Sequence, residues 1–101
     1  MFLIQMLLPL PSSGSTASPE EILTALHHTL VERFGGLTAY TRAPAKGSWL
    51  ANGKEERDDI LILEVMADEI DREWWKQFRK KSEADLQQEE IVIRSQFIER
   101  L

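Results

Sequence analysis

Asp58-Asp59-Ile60-Leu61-Ile62-Leu63-Glu64-Val65-Met66-Ala67 is the most apolar internal run of the chain, and its reading decides the fold. Apolar residues at both odd and even positions describe a strand covered on most of both faces, which belongs at the centre of a sheet. Side chains alternate along a strand, so Leu61, Leu63 and Val65 share one side and Ile60, Ile62 and Glu64 the other. The charge on Glu64 is out of keeping with plain core. It marks the second side as turned toward a partner or a ligand.

Around this run the chain is one domain. Its 101 residues are enough to bury roughly 60 to 70% of the unfolded surface, with no room for a second core. Hydrophobic residues at 43% and charged residues at 29% are ordinary for a globular protein. With no cysteine, disulfides, thiolate nucleophiles and cysteine-bound metals are excluded. The net charge of −5 repels phosphate backbones. The one basic cluster, Lys76, Arg79, Lys80 and Lys81, is flanked by Asp71, Glu73, Glu83 and Asp85, so no nucleic-acid partner is expected. Met1 to Pro11 is apolar but lacks a basic leading segment, and it is far shorter than the roughly 20 residues of a membrane span. The small residues from Ser12 to Ala17 keep a signal peptide as the alternative. A strand is the preferred reading, with a cytoplasmic setting and no membrane partner.

Taken in order, Phe2 to Leu8 is a first strand, with Ile4, Met6 and Leu8 on one face and Leu3, Gln5 and Leu7 on the other. Pro9 to Ser18 is a loop. Ser18-Pro19-Glu20-Glu21 starts a helix: serine caps it, proline occupies the first position, and Glu21 closes a capping box. Leu23, Leu26, Leu30 and Phe34 form its core stripe, bordered by Ile22 and His27, and Gly35-Gly36 stops it. Leu37 to Arg42 is a second strand. Ala43 to Gly47 bends or bulges it, and Ser48 to Lys54 forms a hairpin tip turning at Asn52-Gly53, which suits a type I′ turn. The return limb enters the opening run. Asp68 is the expected cap of a second helix, on which Trp74, Trp75 and Phe78 share one broad face. Glu90 to Arg94 is a short last strand with Ile91 and Ile93 on one side, and the tail from Ser95 carries Phe97, Ile98 and Leu101.

The order strand, helix, strand, strand, helix, strand predicts an α+β, ferredoxin-like βαββαβ domain, a four-stranded antiparallel sheet with two helices on one face. That topology centres the first and third strands, which here are the two most apolar ones. The face without helices then carries Leu3, Gln5, Leu7, Thr38, Tyr40, Arg42, Ile60, Ile62, Glu64, Glu90, Val92 and Arg94. It is too apolar to be left in water, and large exposed apolar patches mark interfaces or ligand grooves.

Candidate ligand or interface residues follow from that face. Glu64 and Arg42 are expected to meet across adjacent strands, with Tyr40 and Gln5 nearby, giving an acid, a cation and hydrogen-bonding groups on an apolar floor. Ile62 and Arg94 complete the face. The bland alternative is an ion pair that sets the register of a dimer. Trp49, near the hairpin tip, is expected to contact something beyond its own core, because exposed indoles are costly and recur at interaction hot spots. Adjacent helical positions point about 100° apart, so His27 and His28 cannot chelate one metal; His28 suits an ion pair with Glu32. His27, at the edge of the core stripe, is the histidine with a functional claim. No metal site and no cofactor are expected. Catalytic Ser-His-Asp spacing, a phosphate-binding Gly-rich loop and a His-Glu-x-x-His helix are absent from the sequence.

Phe34-Gly35-Gly36-Leu37-Thr38, Gly47-Ser48-Trp49, Asn52-Gly53 and Gln88-Glu89-Glu90-Ile91-Val92 together resemble a bacterial family of small domains of unknown function. In it a Gly-Gly-Leu-Thr strand start, a Gly-x-Trp before a hairpin turn and a Gln-Glu-Ser-Val-like final strand recur. The likeness covers about residues 34 to 65 and 86 to 93, and Glu90 stands where that family has serine. It implies a ferredoxin-like fold and no particular activity. Two functional readings follow: a homodimeric interaction or small-ligand-binding domain associating through the open face and the Trp49 arm, or a cofactor-independent enzyme of the dimeric α+β barrel type acting on a small organic molecule.

Overall fold

The computed structural model describes residues 1–9, 19–51 and 53–101, with only the backbone described for 19, 41–51 and 54–59. Its elements are β1 (Phe2–Pro9), α1 (Pro19–Phe34), β2 (Thr38–Ala51), β3 (Lys54–Ala67), α2 (Arg72–Asp85) and β4 (Val92–Phe97). The sheet order is β2-β3-β1-β4, all antiparallel, so the most apolar run does lie at the centre beside β1. This is the ferredoxin-like arrangement expected from the sequence. The capping role expected of Ser18 and the first turn residue, Asn52, lie outside the described residues.

Alternation along the two central strands builds the core. Ile4, Met6 and Leu8 from β1 and Leu61, Leu63 and Val65 from β3 are buried beneath Ile22, Leu26 and Leu30 of α1 and Trp75 and Phe78 of α2. Leu86 and Ile91 close the core after α2. Helix α1 stops where expected: Gly35 takes φ +79°, which favours glycine, and its amide donates to the Val31 carbonyl at 2.8 Å. The ribbon turns between Ala51 and Lys54, which pair with each other, and Gly53 has φ +78°.

Three details depart from the sequence reading. The cap of α2 is Asp71, whose carboxylate accepts the Trp74 amide at 3.0 Å, and not Asp68. Ile70 and Trp75 explain the shift: they stand one before the cap and four into the helix, where a hydrophobic staple falls, and both pack on the core. Second, β4 begins at Val92 and runs on to Phe97, so Glu90 precedes it and the start of the tail is strand. Phe97 lies edge-on to Phe2, centroids 5.6 Å apart, and the Ile98 amide donates to the Met1 carbonyl at 2.9 Å. Third, His27 is exposed on α1 and does not border the core.

Candidate functional site

Strand register arranges the helix-free face into rows. Gln5 pairs with Glu64 on one side and Arg94 on the other, and Glu64 pairs with Thr38, so Thr38, Glu64, Gln5 and Arg94 form one row across all four strands. The next row is Tyr40, Ile62, Leu7 and Val92. On the other flank Leu3 sits between Met66 and Gln96. A polar row is thus set between two mainly apolar ones. Within those, Tyr40, Met66 and Val92 are nearly half exposed, while Leu3, Leu7 and Ile62 are partly covered by their neighbours.

Hydrogen bonds link Arg94, Gln5 and Glu64 along the polar row, and Tyr40 joins them from the next one. Arg94 Nε donates to Gln5 Oε1 at 2.9 Å, Gln5 Nε2 donates to Glu64 Oε1 at 2.5 Å, and the Tyr40 hydroxyl donates to Glu64 Oε2 at 3.3 Å. Each end of the Gln5 amide has the partner its chemistry requires: the carbonyl accepts from a cation and the NH2 donates to an anion. Both carboxylate oxygens of Glu64 are occupied by separate donors. The Glu64 charge holds the Tyr40 hydroxyl above its ordinary pKa, with partial desolvation and the hydrogen bond acting in the same direction. Chemically the row is a preorganised strip, anionic at Glu64 and cationic at Arg94, on an apolar floor.

The sequence-derived candidates separate into two groups. Gln5, Tyr40, Ile62, Glu64 and Arg94 come together on this face. Arg42 does not meet Glu64 in the register: Thr38 occupies the position opposite, and residues 41–44 fall in an irregularity between the Tyr40–Ile62 and Ala45–Ile60 pairs. Among the described residues the row's cation is Arg94, from the strand on the other side of β1. The Arg42 and Trp49 side chains lie outside the described residues, though the Trp49 backbone pairs with Glu56 in the ribbon. His27 is on the far side of the molecule from this row, and His28 pairs with Glu32 at 3.2 Å on the solvent side of α1. Among the described residues, no group of three or more His, Asp or Glu side chains converges as a metal site.

Two features were not foreseen. Glu64, with Leu3, Thr38 and Met66, also borders an open depression of about 650 Å³ that continues past Gly35-Gly36 to Arg33 and Arg100. On the helix side, a cleft of about 440 Å³ separates α1 from α2. Its signal in the sequence was Ser82, a small polar residue on the same helical face as Trp75 and Phe78.

No family model matches the chain, and no curated protein does. Among solved structures it is similar to the divalent cation tolerance protein CutA1 from Thermus thermophilus, at TM-score 0.61 and 14% identity over 99% of this chain and 86% of that one. It is also similar to a phage SAM lyase in its apo state, at TM-score 0.58 and 13% identity over 94% of this chain and 78% of that one. Among the described residues no helix is long and apolar enough to cross a membrane. The likeness spans nearly the whole chain, and at these identities what it establishes is the α+β, ferredoxin-like fold.

Proposed function

We propose that this chain is an interaction or small-ligand-binding domain that self-associates as a homodimer through its helix-free sheet face. The observation that supports this best is the bonded polar row between apolar rows. A face meant only for water has no use for Leu3, Leu7, Ile62, Met66 and Val92, and contiguous apolar surface of this kind marks an interface. The row is self-complementary in one orientation. A two-fold axis running along the strands over Gln5 sets Glu64 of each copy against Arg94 of the other. An axis across the strands sets Glu64 on Glu64 and is repulsive. Charge therefore selects the register while apolar contact supplies affinity.

Light scattering tests this directly. The parent chain should run at about twice its 11.6 kDa mass. Glu64→Arg and Arg94→Glu should each shift it toward monomer, and the double reversal should restore the dimer. A monomeric parent protein sinks the proposal.

The depression beside Glu64 favours one second reading, a cofactor-independent enzyme of the dimeric α+β barrel type, with the second copy closing the open side over a small organic molecule. In that reading Glu64 and Tyr40 are the polar groups nearest the substrate. A dry seam between copies, with no enclosed cavity at Glu64, counts against it. The resemblance to bacterial domains of unknown function fits either reading and selects neither.

A further inference from the structure

The cleft between α1 and α2 lies on the opposite side of the sheet from the proposed interface, so its chemistry is independent of whether that face self-associates. Its wall is aromatic: Trp74 and Phe78 stack nearly parallel, with centroids 4.9 Å apart and planes 10° from each other. Ile22 and Leu26 of α1 face them across the gap, and the exposed Glu21, Gln77, Lys81 and Asp85 complete the lining. Ser82 also lines this cleft. It is 1% exposed, and among the described residues its hydroxyl has no hydrogen-bond partner. A helical serine ordinarily bonds a carbonyl one turn back, and buried polar groups are almost always satisfied. An orphaned hydroxyl inside an apolar cleft is the arrangement by which a site fixes the orientation of a small molecule.

We infer that this cleft binds a small neutral aromatic alcohol, its ring against Trp74 and Phe78 and its hydroxyl bonded to Ser82 Oγ. The ring is called for by the stacked wall, since aromatic groups gain from offset or edge contact with one another. Neutrality is called for by the burial of Ser82: the charged side chains of the lining, Glu21, Lys81 and Asp85, are exposed to water, so an ion held against the buried hydroxyl would lose its hydration for a neutral partner. A volume of about 440 Å³ suits a single small molecule.

The test uses a matched pair of probes, p-cresol and toluene, which differ by one hydroxyl. In an amide NMR titration, p-cresol should give saturable shifts at Ile22, Leu26, Phe78 and Ser82 and bind about tenfold more tightly than toluene, since a site with a waiting polar group rejects the analogue that lacks one. Ser82→Ala should erase that preference while the ligand-free protein melts no lower than the parent, because the orphaned group has gone. Leu26→Trp should fill the cleft and abolish binding of both probes. Absence of saturable shifts, equal affinity for the two probes, or a preference that survives Ser82→Ala would each overturn the assignment. So would nuclear Overhauser contacts in the free protein from Leu10–Ser18 to Phe78 or Ser82, which would mean the chain's own linker fills the cleft.

Discussion

The two faces of the sheet are built from the same strands and alternate residues, yet they solve different problems. On the helix side Ile4, Met6, Leu8, Leu61, Leu63 and Val65 are all buried. Across the same strands, Leu3, Gln5, Leu7, Ile62 and Glu64 stay partly open, though most are as apolar as their neighbours. Apolar content alone therefore does not say which face is core. The distinguishing feature is the polar row: among the described residues no charged side chain interrupts the covered face of the central pair, whereas Glu64 and Gln5 sit at the middle of the open one, satisfied by Tyr40 and Arg94. A polar network with its partners in place costs little to expose and confers register when covered.

The largest expected effect breaks or sharpens this contrast directly. Leu63→Ala should cost about 2–5 kcal/mol in urea unfolding, the range for truncating a buried leucine. Ile62→Ala, one residue away and on the open face, should cost clearly less at concentrations too low for association. Equal costs would mean that both faces serve folding in the same way. Next, Ile62→Asp should weaken self-association by at least about tenfold, about 1.4 kcal/mol, with the far-ultraviolet circular dichroism unchanged, as sedimentation can measure. An unfolded variant would place Ile62 in the core instead.

A smaller effect probes the helix side. Asp71 caps α2 through the Trp74 amide and also meets Arg33 at 3.3 Å, while the Arg33 guanidinium lies 4.3 Å from the Trp74 ring centre. Asp71→Ala should lower stability by about 0.5–2 kcal/mol, mostly through the cap, since the exposed ion pair contributes little. Thermal melts should show it without any change in association.

The smallest effect lies on the open face and is a matter of pH. The pKa of Tyr40 in the folded chain is above its unfolded value because Glu64 is nearby. The folded state therefore holds the phenolic proton more tightly. Stability from this contact is fully present below the ordinary tyrosine pKa of about 10 and is lost as pH rises through the folded value. Glu64→Gln should bring the Tyr40 titration, followed by the carbon shift of its ring, back down and flatten this alkaline loss. An unchanged midpoint would break the Tyr40–Glu64 link.

Much of the fold was legible because its signals are local. Alternation in Phe2–Leu8 and Ile60–Met66 singled out the central pair, Pro19 opened α1 and Gly35 closed it. The misses arise where two local signals compete or where the deciding contact is distant. Asp68 and Asp71 are both acceptable caps, and only the burial of Ile70 and Trp75 chooses between them. The extent of β4 depends on its pairing with β1, down to Phe97 opposite Phe2. The same holds for the site. Gln5, Tyr40, Ile62 and Glu64 could be placed on one face by parity, but which cation reaches the row is a question of register between strands far apart in sequence. That is why Arg94 joins the row from β4 and Thr38 stands where Arg42 was expected opposite Glu64. The helical wheel put His27 at a border where small rotations of α1 decide exposure.

One consequence of where the chain puts its chromophores is optical. The single tyrosine, Tyr40, reports on the open face, whereas Trp74 and Trp75, packed edge to face at 4.8 Å beside Phe34, report on α2 and its seat. Trp49 is the third indole, and Trp49→Phe would leave the α2 pair alone in the fluorescence signal. Phenol absorbance and indole emission would then be separate channels for the two sides of one sheet. Dilution of a dimer should move the first and leave the second still, and occupation of the helical cleft, which Trp74 lines, should move the indole emission.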